Sequence, residues 1–152
     1  MLKIILTLLV LSSSAIAQTN NPITVVIPGE CDRVVLGSRQ TECSNRSTAH
    51  LLIYSAWSNG RVGFTIILSD TRALTFLGES DRQPTPNLYI LYLARVRIGS
   101  PNQTSLVSDV GGTCAMNLSA DGNMVYRVNC QAFDAGGNEY IQHFRGTAPV
   151  RR

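Results

Sequence analysis

Hydrophobic positions along this chain come in short β-branched or alternating runs, separated by clusters of Gly, Pro, Asn and Asp. Beyond the N-terminal segment no stretch sustains the 3.6-residue apolar period of an amphipathic helix. The runs themselves predict strands. Ile23–Ile27 is a β-branched run stopped by Pro28-Gly29, and Arg33–Leu36 is a second short candidate. Two apolar runs then flank Asn59-Gly60, the strongest short-range hairpin cue. A two-residue turn there pairs Ser58 with Arg61, hence Trp57 with Val62, Ser55 with Phe64, Ile53 with Ile66 and Leu51 with Leu68. That register collects nearly all the apolar residues on one face. It leaves His50, Leu52, Tyr54, Ala56, Gly63, Thr65 and Ile67 on the other.

A turn at Ser69–Arg72 leads into Ala73–Leu77, and the polar stretch Glu79–Asn87, with Pro84 and Pro86, reads as a connection without regular structure. Leu88–Ile98 is a long strand, or two joined by a bulge. Gly99–Gly112 reads as a second long connection. Thr113–Leu118 and Met124–Cys130 form another hairpin. A two-residue Asp121-Gly122 turn would put Cys114 and Cys130 on opposite faces. A three-residue loop, Asp121 to Asn123, sets Cys114 opposite Cys130, Met116 opposite Val128, Leu118 opposite Tyr126 and Ala120 opposite Met124. Asp134–Asn138 then turns the chain into a last strand, Glu139–Phe144, before a tail expected to be frayed. His143 alternates there with Ile141 and Arg145 on the less apolar face. Eight to ten short strands with turns between them predict a small antiparallel β-sandwich or barrel.

The first segment is read differently. Met1–Ala17 has a basic residue, Lys3, an apolar stretch from Ile4 to Leu11, and the small-residue site Ala15-Ile16-Ala17. This is the pattern of a cleaved secretory signal peptide, too short to span a bilayer. Residues 18–152 are then a single exported domain, periplasmic or extracellular, with no stable membrane insertion. The short leader and the use of Arg without Lys suggest a bacterial source. Export makes disulfides the expected state of Cys31, Cys43, Cys114 and Cys130. The hairpin register predicts Cys114–Cys130, and elimination leaves Cys31–Cys43. No Cys-x-x-Cys pair or clustered histidines suggest a metal, and no cofactor motif is present.

Charge excludes one class of partner. Past the leader, 12 arginines face 10 acidic residues, too small an excess for a nucleic-acid binder. Hydrolytic chemistry needs a nucleophile beside an oriented histidine. Here His50 and His143 are the two candidates, without a Gly-x-Ser-x-Gly elbow. The carboxylates fall mostly in predicted turns, where Asp belongs for its own backbone hydrogen bonds. One binding constellation stands out. Arg95, Arg97, Arg127, Arg145 and His143 occupy outward strand positions, with Tyr89 at the edge, and arginine forks suit carboxylate or phosphate groups. The expectation is a non-catalytic exported domain that binds a protein or cell-envelope partner. The alternatives are a small extracytoplasmic hydrolase using His50 or His143, and a structural or adhesive envelope component that self-associates through an uncovered edge strand.

Overall fold

The computed structural model describes residues 21–41, 43, 50–68, 71–100 and 102–152; Met1–Ala17, read above as a leader, lies outside them. Ten strands follow in order: β1 (Ile23–Leu36), β2 (Arg39–Thr41), β3 (His50–Ala56), β4 (Val62–Ile67), β5 (Ala73–Thr85), β6 (Leu88–Ser100), β7 (Gln103–Ser108), β8 (Gly111–Leu118), β9 (Val125–Phe133) and β10 (Glu139–Gly146). Eight of them close a ring, β1-β3-β4-β5-β6-β8-β9-β10 and back to β1, with every pair antiparallel. The remaining two, β2 and β7, are appended to β1 and β6. The protein is an all-β closed barrel, the second of the two expected architectures.

Long bent strands make closure possible. β1 pairs with β3 from Ile23 to Gly29 and with β10 from Gly29 to Leu36. Pro28-Gly29 is therefore a bend inside one strand, and the two short runs expected on either side are its halves. Gly29 is required there by proximity: a Cβ would overlap the Arg145 carbonyl oxygen and the Phe144 ring. β6 divides in the same way, its first half pairing with β8 and its second with β7. The bulge allowed for in this strand falls at Ala94, which has no partner between Leu93 and Arg95. It switches the inward residues from Tyr89, Leu91 and Leu93 to Val96 and Ile98.

The inward faces form the core. Phe64, Phe76, Phe144, Ile27, Leu52, Leu74, Leu91, Val34, Val96 and Val128 are fully enclosed, each contributing roughly 1.5–3 kcal/mol by leaving water. Both expected disulfides are present, Cys31–Cys43 and Cys114–Cys130. The second lies inside the barrel between directly paired residues of β8 and β9.

Several local expectations are corrected. Around Asn59-Gly60 the register is Leu52 with Ile66, Tyr54 with Phe64 and Ala56 with Val62, one residue away from the predicted one. The Trp57 N–H donates to Arg61 O at 2.8 Å and the Gly60 N–H to Trp57 O at 3.0 Å. The loop thus holds three residues, with Gly60 left-handed at φ 81°, a turn closed by a glycine bulge. The slip carries Leu52, Tyr54 and Ala56 inside and turns Leu51 out, 41% exposed. Val62, Phe64 and Ile66 of β4, and Leu68 just beyond it, remain inside, as expected. In the β8–β9 hairpin the predicted pairs hold through Cys114–Cys130 and Met116–Val128. Leu118, however, faces Val125 across a bulge, and Tyr126 is turned outward. Neither long connection is irregular: β5 continues through Thr85, and β7 occupies Gln103–Ser108. The tail is also ordered, Arg151 exchanging two 2.8 Å backbone hydrogen bonds with Val26.

Candidate functional site

The six predicted binding residues fall into three places. Tyr89 is not at the edge of an arginine patch. It points into the barrel, where its ring meets Phe64 and Tyr54 edge-on at centroid distances of 6.5 and 6.2 Å. Its hydroxyl donates to Asp81 Oδ2 at 2.6 Å. Burial, then the hydrogen bond to Asp81, pushes the Tyr89 phenol far up from its ordinary pKa; burial also raises that of Tyr54. Both rings stay protonated and fill this end of the barrel. Tyr54 and Tyr89 belong to β3 and β6, which are not neighbours, so their contact spans the interior.

Arg127, Arg145 and His143 form a second group on the outer face of β9 and β10. Arg127 and Arg145 are directly paired, and His143 lies between Asn129 and Arg33 in register. The repulsion expected of paired like charges is offset from β1: Arg145 donates to Glu30 and lies 3.8 Å from Asp32.

Arg95 and Arg97 lie apart, on the second half of β6 between β5 and β7. β8 separates β6 from β9, so the arginines form two surfaces rather than one. Around Arg95 the sheet is distorted on both strands. The pairing Leu77–Arg95, Gly78–Leu93, Ser80–Tyr92 leaves Ala94 and Glu79 as extra residues, and such bulges re-aim side chains. Arg61, Leu77, Gly78, Glu79, Ala94 and Arg95 surround a shallow surface depression that encloses no cavity. Glu79 Oε1 lies 3.6 Å from Arg95 Nη2 and 4.0 Å from Arg61 Nε. Arg61 Nε is itself enclosed and has no hydrogen-bond partner. The floor is apolar. Leu77 faces outward opposite Gly63, and the missing side chain there leaves room for Leu77 Cδ2 and Trp57 Cζ3, 3.0 and 3.4 Å from a Cβ position.

Two part-exposed arginines converging on one carboxylate beside Leu77 leave cationic donor capacity at the surface. This arrangement can accept a further carboxylate. Comparison with protein families, with curated proteins and with solved structures finds no match. The site therefore rests on its own geometry.

Sequence reasoning found Arg95 and missed Arg61, Trp57 and Glu79. Trp57 was assigned to the apolar face of the first hairpin by the one-residue slip, and Glu79 to an irregular loop. The signal available was the Trp57-x-x-x-Arg61 pair flanking an Asn-Gly turn, since both ends of a three-residue loop are directly paired. His50, considered as a catalytic base, is buried, and its Nδ1 accepts the Cys31 N–H at 2.9 Å. That lone pair helps hold the strand that carries the Cys31–Cys43 bridge.

Proposed function

We propose that this chain is an exported, non-catalytic binding domain that recognises an acidic group of a protein partner in the depression between Arg61, Glu79 and Arg95. The observation that carries this reading is the pair of part-exposed guanidinium groups, Arg61 and Arg95, that share a single glutamate. A partner carboxylate laid over the exposed edges of the two guanidinium groups gains charge-assisted hydrogen bonds from them. Trp57 and the two arginines are the residue types that anchor interfaces. Two disulfides suit an oxidising compartment outside the cytoplasm, in keeping with the secretory leader read in Met1–Ala17. The involvement of His50 Nδ1 in a backbone hydrogen bond favours binding over hydrolysis at that residue.

The test is capture from the source organism's envelope and culture fractions with the oxidised mature protein. Arg61→Ala/Arg95→Ala and Arg127→Ala variants run in parallel. A partner retained by wild type and by Arg127→Ala, and lost from the double variant, supports the reading. Each charge-assisted contact contributes about 1.5–3 kcal/mol, so affinity should fall more than about tenfold. Equal retention by all three proteins overturns it.

A further inference from the structure

A barrel with appended strands still has edges, and this one treats them unequally. The outer edge of the first half of β1 is covered by the tail, through Val26–Arg151 and through the Thr147 N–H donating to Pro28 O at 3.0 Å. β2 is three residues long and begins with Arg39. The second half of β5, beyond its pairing with β4, carries Glu79, Asp81, Arg82 and Pro84. Cover, brevity, charge and proline are the usual protections of an edge against pairing with another chain. β7 has none of them. Among the described residues it pairs with β6 alone, and Gln103 to Ser108 contains neither a charged residue nor proline.

We infer that β7 is a strand-pairing surface and that its partner is β7 of a second copy of this chain, antiparallel about a two-fold axis. The interior faces of the two sheets continue into one another only when residues of like facing oppose each other, which restricts the register. One such register sets Leu106 against its own counterpart and Thr104 against Ser108 of the other copy. It covers an exposed apolar side chain, since Leu106 is 53% accessible on the outer face beside Arg97. An uncharged strand meets itself without the like-charge repulsion that Arg39 or Asp81 would impose at the other edges. Alternate residues of such an edge direct their N–H and C=O groups outward, so the contact is made mainly by backbone hydrogen bonds. A single strand pair buries less than a standard stable interface, and the dimer is therefore weak and concentration-dependent. The inference is independent of the arginine depression.

Sedimentation of the mature protein from micromolar to about millimolar concentrations tests it. The wild type should pass from monomer to dimer. Leu106→Lys, which sets two like charges opposite each other, should remain monomeric with an unchanged thermal midpoint. Tyr126→Lys, an equally exposed position on β9, should dimerise as wild type does. Register is read separately by mild oxidation: Leu106→Cys should form a covalent dimer, whereas Thr104→Cys should not. A wild type that stays monomeric throughout, or a dimer that survives Leu106→Lys while Leu106→Cys does not cross-link, overturns the proposal. If Leu106→Lys fails to fold, the cysteine pair decides alone.

Discussion

Gln142 is the least expected residue of the core. It is fully enclosed on β10, and both its Nε2 and its Oε1 lack a partner. In register it faces Val34 of β1 and Cys130 of β9, the latter in the internal disulfide. A buried amide without hydrogen bonds costs free energy, whereas an apolar side chain of similar shape carries no such cost. Gln142→Met should therefore stabilise the protein by about 1–3 kcal/mol, read as a higher urea midpoint at unchanged m value. A lower midpoint would mean that the amide holds an internal water. Gln142→Ala should instead destabilise it, because the lost volume leaves a cavity. The alternation over residues 141–145 turned His143 and Arg145 outward, as found, although Ile141, set on the same face, is buried. The same alternation placed Gln142 inward, but period-2 patterning says where a side chain points and not whether it finds a partner there.

At the scale of single elements, legibility depended on what pinned each hairpin. Two cysteines that had to meet fixed the Cys114–Cys130 and Met116–Val128 pairs correctly, but not the loop. It holds four residues, Ala120–Asn123, between the paired Ser119 and Met124, rather than three, and the bulge beside Leu118 makes up the difference. The β3–β4 hairpin had no such constraint. Leu51, Leu52 and Ile53 are all apolar, so β3 offers a hydrophobic set to either face, and a one-residue slip passes unnoticed. Turn chemistry then decides. Gly60 has a positive φ whereas Asn59 does not, and Asn59 Oδ1 accepts the Arg61 N–H at 3.1 Å. The three-residue solution recurs at Asp134–Asn138, with Gly137 in the left-handed position; Ser69 and Asp70 of the expected Ser69–Arg72 turn lie outside the described residues. Gly60→Ala should cost about 1–2 kcal/mol, since a left-handed L-residue pays that steric price. Gly60→Asn should cost clearly less, because Asn tolerates this region. Equal losses for the two variants in chemical denaturation would count against the assigned turn. β7 and the second half of β5 were illegible for a related reason. Their proline, charge and Ser/Thr content resembles that of loops, and such composition is tolerated in a strand with one unpaired edge.

For the molecule as a whole, the sequence indicated many strands and two bridges, but not how the ring closes. Closure depends on β1 meeting β10, which brings Glu30 to Arg145, and no local pattern encodes a contact so distant in the chain. For the same reason the arginines read as one patch were separated once β8 came between β6 and β9. The tail shows how closure and edge protection are linked. Residues 147–152 follow β10 along β1, joined by Thr147–Pro28 and Arg151–Val26, while the Val150 N–H donates to Asn123 O at 2.9 Å and its side chain packs on the core. Beneath them, Ile23-Thr24-Val25-Val26-Ile27 is a β-branched, uncharged segment, the kind of edge that recruits other chains when bare. Truncation after Gly146 should lower the thermal midpoint and produce association beyond a dimer. Because that association would run through β1, adding Leu106→Lys to the truncated chain should not prevent it. Sedimentation of the truncated Leu106→Lys protein as a monomer would show that β1 needs no cover, leaving the tail only its packing role. Association restored by the truncation would show that this fold stays discrete by keeping its most apolar edge under its own C-terminus.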